Sequence, residues 1–127
     1  DHVPEPSGGV VVPFFGVKTL TSTLAPKLAS KTKCALVGLS CIRRDDNRGF
    51  DIYCYKLDDP ALYDRNTEVA THALNIAMQE MIEDQCSHYM WGYRRFKRIP
   101  NLGNPYRADS SKLQAFLKSA KDKRYKT

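Results

Sequence analysis

Residues 34–57 constrain the fold more than any other stretch. Residues 34–42 are almost continuously apolar, residues 43–49 read Arg-Arg-Asp-Asp-Asn-Arg-Gly, and Phe50, Ile52 and Cys54 then alternate with Asp51, Tyr53 and Tyr55. Both apolar runs have strand length, and a polar turn between two such runs predicts a hairpin. The unbroken first run has the pattern of a strand covered on both faces. An all-helical fold is thereby excluded.

The rest of the chain supplies the remaining elements. Val10, Val11, Val12, Phe14 and Phe15 predict a short strand ending at Gly16, with Pro13 marking an edge, a bulge or the strand's end. Leu20, Leu24 and Leu28 recur at helical spacing and predict a helix over residues 19–31, kinked or restarted at Pro26. Asn66 or Thr67 is placed to cap a long helix reaching about Gln85, with Val69, Ala73, Ile76 and Met81 as its stripe and Leu74 and Met78 beside it. Residues 86–98 are expected to form a second short helix or extend the first. Residues 110–125 predict a basic helix with Leu113, Phe116 and Leu117 on one side. The sum is an α/β chain.

Charge is placed unevenly. The 127 residues carry a net charge of +6, yet residues 94–127 hold eleven bases against two acids, +9, and residues 1–93 are at −3. A polyanion is therefore expected to meet the C-terminal end. No run approaches the roughly 18 apolar residues of a membrane span. Cys34, Cys41, Cys54 and Cys86 form no Cys-x-x-Cys pair, so structural thiols in a reducing compartment are expected and no metal site. Asp1 in place of Met, opening a turn-rich stretch, reads as the start of a piece of something longer.

His72 has Glu68 one turn before it, and His88 has Asp84; both pairs are as well explained by surface contacts. No phosphate loop, nucleophile elbow or dinucleotide fingerprint is present. The dense signal is residues 89–98, Tyr-Met-Trp-Gly-Tyr-Arg-Arg-Phe-Lys-Arg. On a helix, Tyr89, Tyr93 and Phe96 would share one face and Trp91, Arg95 and Arg98 another. Arginine forks suit phosphate and carboxylate, and the aromatic neighbours suit the boundary between apolar surface and polar headgroups. A solvated basic helix end explains the charges but not the only Trp among three other aromatics. A small basic nucleic-acid-binding protein, stacking bases on Trp91, Tyr93 and Phe96, is the alternative from another class.

The run Tyr89-x-Trp91-x-x-Arg94-Arg95-Phe96-Lys97-x-x-Pro100 resembles the C-terminal signature of the bacterial lipid A biosynthesis acyltransferases, the lauroyl/myristoyl transferase family. Asp1-His2 followed by Gly9-Val10-Val11-Val12-Pro13-Phe14-Phe15-Gly16 is similar to that family's Val-Pro-Phe-Phe-Gly segment. The resemblance covers residues 1–101, read as the C-terminal portion of a glycerolipid-acyltransferase-like fold, and leaves residues 102–127 as a basic tail.

The resemblance implies enzymes on the cytoplasmic side of the Gram-negative inner membrane. They move an acyl chain from acyl carrier protein onto a hydroxyl of the Kdo-bearing lipid A precursor, with no cofactor beyond that acyl donor. The family's general base is a His in a His-x-x-x-x-Asp/Glu motif. Here Ser7, Ala77 and Tyr93 stand five residues after the three histidines, so no catalytic residue is carried over. This chain alone is expected to be inactive. Arg94, Arg95, Lys97 and Arg98 are the candidate binders of anionic substrate groups, with Arg94 and Arg95 in the structured role. The expected partners are acyl carrier protein, the phosphorylated glycolipid and, through residues 112–126, an anionic membrane surface; nucleic acid is not expected.

Overall fold

The structure, a computed structural model, describes residues 2–124, so Tyr125 of the expected basic helix and Lys126 of the expected membrane contact lie outside the described residues. The elements run β1 (Gly9–Phe14), β2 (Val17–Ser22), α1 (Leu24–Thr32), β3 (Leu36–Arg43), β4 (Phe50–Leu57), α2 (Thr67–Asp84) and α3 (Ser110–Arg124). Two antiparallel two-stranded sheets, β1–β2 and β3–β4, flank α2, and the α/β class stands.

The β1–β2 ribbon pairs Val12 with Thr19 and Phe14 with Val17, leaving Phe15-Gly16 as a two-residue loop. Both loop residues have positive φ, 47° and 74°. That is the primed-turn geometry whose twist matches a hairpin, and Gly16 adopts it without a Cβ penalty. Phe15 does not, and its backbone N–H is held by donating to Gln79 Oε1 of α2 at 2.7 Å. Pro13 sits opposite Lys18 in a ribbon whose strands are both edges, where a missing donor is tolerated.

The helix expected over residues 19–31 is corrected. Residues 17–22 are strand because Val17, Thr19 and Thr21 alternate as β-branched residues, and Thr19 and Thr21 are buried. The helix starts at Leu24, and Leu24 and Leu28 are exposed, so the leucine spacing marks no buried face. Pro26 is the third residue of α1, where its missing N–H has no helical partner to lose.

The β3–β4 hairpin forms as expected, with Leu39 opposite Cys54 and Cys41 opposite Ile52. Burial alternates along β3, which corrects the two-sided covering expected of residues 34–42. Leu36, Gly38, Ser40 and Ile42 turn toward α2; Val37, Leu39, Phe50 and Ile52 are exposed. All four cysteines are free and exposed too, so the structural role expected of these thiols is also corrected.

Asn66 caps α2, its Oδ1 accepting from the Glu68 N–H at 3.0 Å. The buried face of α2 is Ala70, Thr71, Ala73, Asn75 and Ile82, whereas Val69 and Ile76 of the expected stripe are exposed. The core joins this face to Val12, Phe14, Leu20, Ala29 and Leu62. Each large apolar side chain there contributes about 1.5–3 kcal/mol.

Candidate functional site

Residues 86–98 form no helix. Gln85 leaves helical geometry at φ −130° and ψ 39°, a single 3-10 turn spans Cys86–His88, and tight turns follow. The Trp91 N–H donates to Tyr89 O at 2.8 Å, Tyr93 to Met90 O at 2.9 Å and Arg95 to Tyr93 O at 2.8 Å. The Trp91 indole N–H donates to Cys86 O at 2.7 Å, holding the ring back across the turn. Helical faces therefore do not sort these side chains; successive turns do.

The turns send Arg95 inward. It is 2% exposed, among the largest fully buried side chains. Its Nη1 donates to Leu20 O at 3.1 Å, and its Nη2 donates to Thr21 Oγ1 at 2.8 Å and, more weakly, to Asn75 Oδ1 at 3.5 Å. The guanidinium lies 4.5 Å from the Phe14 ring centroid. Asn75 completes the node, its Nδ2 donating to Pro13 O at 2.7 Å and Thr21 Oγ1 at 3.2 Å. Burial pulls the Arg95 pKa below its ordinary value, though a guanidinium stays charged in proteins. One residue of the signature thus joins β1, β2 and α2.

The other candidate binders point elsewhere. Arg94 is exposed, 6.0 Å from the Tyr106 ring centroid. Lys97 is half-buried. Arg98 donates to Glu5 Oε2 at 2.9 Å, and its carbonyl accepts from the Leu20 N–H at 3.1 Å. Of the four, Arg94 and Lys97 remain available to an external anion, Arg98 is shared with Glu5, and Arg95 belongs to the core.

Beside this node, the inner face of the hairpin and the end of α2 enclose a groove of about 500 Å³. That lies within the roughly 300–1,000 Å³ usual for small-molecule sites. Its walls are mainly apolar: Ile42 from β3, Met78, Met81 and Ile82 from α2, and Met90 beyond it, with the outward-facing Leu39 at its edge. All three methionines of the chain line it, with His88, Tyr89 and Tyr93. Tyr93 ties the groove to the N-terminal segment, its Oη accepting from the Val3 N–H at 2.9 Å. Desolvation raises the Tyr89 pKa. The close approach of α2 to β3 depends on Gly38: a Cβ there would meet the Met81 sulfur and lie 2.8 Å from its methyl carbon.

The sequence reading missed Asn75, Thr21 and the groove. A signal existed in the spacing of Thr71, Asn75, Met78 and Ile82, one helical face carrying two polar residues among apolar ones. Among the described residues no group of three His, Cys, Asp or Glu side chains is placed to hold a metal ion. None of their helices is long and apolar enough to cross a membrane.

The scaffold is thus α/β, with an apolar-walled groove between β3 and α2 and an exposed Arg94 in the turns that follow α2. The sequence model of the bacterial lipid A biosynthesis acyltransferases matches residues 1–98, and the chain belongs to that family. No curated protein matches it.

Proposed function

We propose that this chain forms the chain-holding part of an acyltransferase that moves an acyl group from acyl carrier protein to a hydroxyl of the phosphorylated, Kdo-bearing lipid A precursor. The observation that carries the reading is the groove between β3 and α2, apolar-walled, open to a ligand and about 500 Å³ in volume. An alkyl chain seated there leaves water for aliphatic and thioether side chains, a gain of about 0.8 kcal/mol per methylene. Met78, Met81 and Met90 suit this task because unbranched thioethers adjust to irregular contours.

Arg94 and Lys97 supply cations for the glycolipid's phosphates or carboxylates, with Arg98 joining them when it releases Glu5. Arg95 serves by holding the loop that carries them. The work is done at the cytoplasmic face of the inner membrane of a Gram-negative bacterium, and the acyl donor is the only co-substrate. Proton removal from the acceptor hydroxyl falls to the family's His-x-x-x-x-Asp/Glu motif, which these 127 residues do not contain, so the chain by itself binds without transferring.

Filling the groove tests the reading. Met78→Trp is expected to abolish binding of dodecanoyl-carrier protein, measured by calorimetry, while the fold keeps its circular dichroism spectrum. Undiminished binding by that variant would refute the assignment. Arg94→Ala with Lys97→Ala is expected to weaken binding of the phosphorylated glycolipid at least tenfold, two charged contacts being lost.

A further inference from the structure

We propose that the Met90–Trp91 turn is an interfacial wedge, seated in the headgroup layer of an anionic bilayer with Arg94 as its phosphate contact. The inference rests on the reading of this chain as one that works at an anionic membrane, and adds the part that enters the bilayer. Met90 is 73% exposed and its neighbour Trp91 62% exposed, two adjacent large apolar side chains left in water. Exposure of a lone apolar residue is ordinary; a Met-Trp pair on one tight turn beside an exposed arginine is the composition of a membrane-interface contact.

The turn is built to stand out rigidly. The Trp91 indole donates to Cys86 O at 2.7 Å, and its ring meets Tyr89 edge-on at 4.8 Å and 77°. The backbone N–H groups of Trp91 and Tyr93 already donate within the turn. Those two donors stay satisfied when the turn moves into a less polar layer. Gly92 meets no other atom where a side chain would stand, which leaves the approach open. Arg94 follows at once, exposed, with its guanidinium 6.0 Å from the centroid of Tyr106, a ring 47% exposed. Thioether, aromatic ring and cation, all exposed, thus follow one another within five residues, at the start of the region that holds the chain's whole basic excess. Opposite charge supplies the attraction, and the wedge supplies the depth.

Trp91 is the only tryptophan, so the full chain reports on its own insertion. With vesicles containing phosphatidylglycerol, Trp91 emission is expected to shift to shorter wavelength, be quenched by lipids brominated along the acyl chain, and lose acrylamide access several-fold. Neutral phosphatidylcholine vesicles should leave it unchanged. Met90→Ser is expected to weaken vesicle binding about tenfold, and Arg94→Gln about fivefold. Ile52→Ser, on the exposed hairpin face, should leave binding as it was. Co-sedimentation with unchanged Trp91 emission would overturn the wedge and leave the charged-surface reading standing. No co-sedimentation with anionic vesicles would overturn both. A Trp91 shift with inorganic phosphate alone, or loss of binding in Ile52→Ser equal to that in Met90→Ser, would also overturn the wedge.

Discussion

Replacing Arg95 by Ala separates scaffold from binding surface within a single motif. The change removes donors to Leu20 O, Thr21 Oγ1 and Asn75 Oδ1 and takes a cation from above the Phe14 ring. Hydrogen bonds from a charged group are worth about 1.5–3 kcal/mol each, and a desolvated cation–π contact about 2 kcal/mol. Against these stands relief of the guanidinium's own desolvation, which takes several kcal/mol from the sum. The expected net loss is about 3–5 kcal/mol, because buried acceptors lose their donor and a cavity replaces one of the largest buried side chains. A domain stable by about 5–15 kcal/mol would lose much of its margin. Urea unfolding of the full chain measures it, as a fall in the midpoint with the slope kept. Arg95→Lys should recover part of the loss, since the charge returns without the planar fork. Arg94→Ala, one residue away and exposed, should lie within about 0.5 kcal/mol of the parent. An Arg95→Ala protein within 1 kcal/mol of the parent, or Arg94→Ala the more damaging of the two, would refute the reasoning.

Gly38→Ala makes the Met81 thioether move, because a Cβ would lie 2.8 Å from its methyl carbon. That end is flexible, so the fold should survive, with affinity for a fourteen-carbon acyl ligand falling more than that for a ten-carbon one in calorimetric titrations. Alkaline stability should report Tyr89. Desolvation raises its folded pKa above the ordinary 10.0, so the unfolded chain ionises first as pH rises. Its contribution is whole below about pH 10 and lost as pH climbs through the folded value. Urea midpoints of Tyr89→Phe between pH 9 and 11 should fall less steeply than those of the parent.

Much of this was legible in residue order, and the failures have physical causes. The β3–β4 turn and the Asn66 cap are local chemistry, written in adjacent residues, and both formed where expected. Thr19 and Thr21 were hidden because Leu20, Leu24 and Leu28 imitate a helical stripe; β-branched pairing with β1 overrode it. In residues 34–42, unbroken apolarity suggested two covered faces, yet Val37 and Leu39 face solvent among the described residues. The aromatic-arginine run showed its importance but not its division of labour. That Arg95 turns inward and Arg94 outward depends on turns fixed by the Trp91–Cys86 contact and on Asn75, twenty residues earlier in the chain. No local pattern holds that information.

In the proposed function the groove between β3 and α2 receives an acyl chain. Because Met78, Met81 and Met90 all line it and the chain has no other methionine, labelled methyl groups observe the whole site at once. Methyl spectra of the ¹³C-methionine protein, titrated with dodecanoyl-pantetheine and with pantetheine alone, make the measurement. All three signals should shift and show contacts to the alkyl protons with the acylated ligand, and stay in place with pantetheine. Three unmoved signals at saturating acyl ligand would contradict the account.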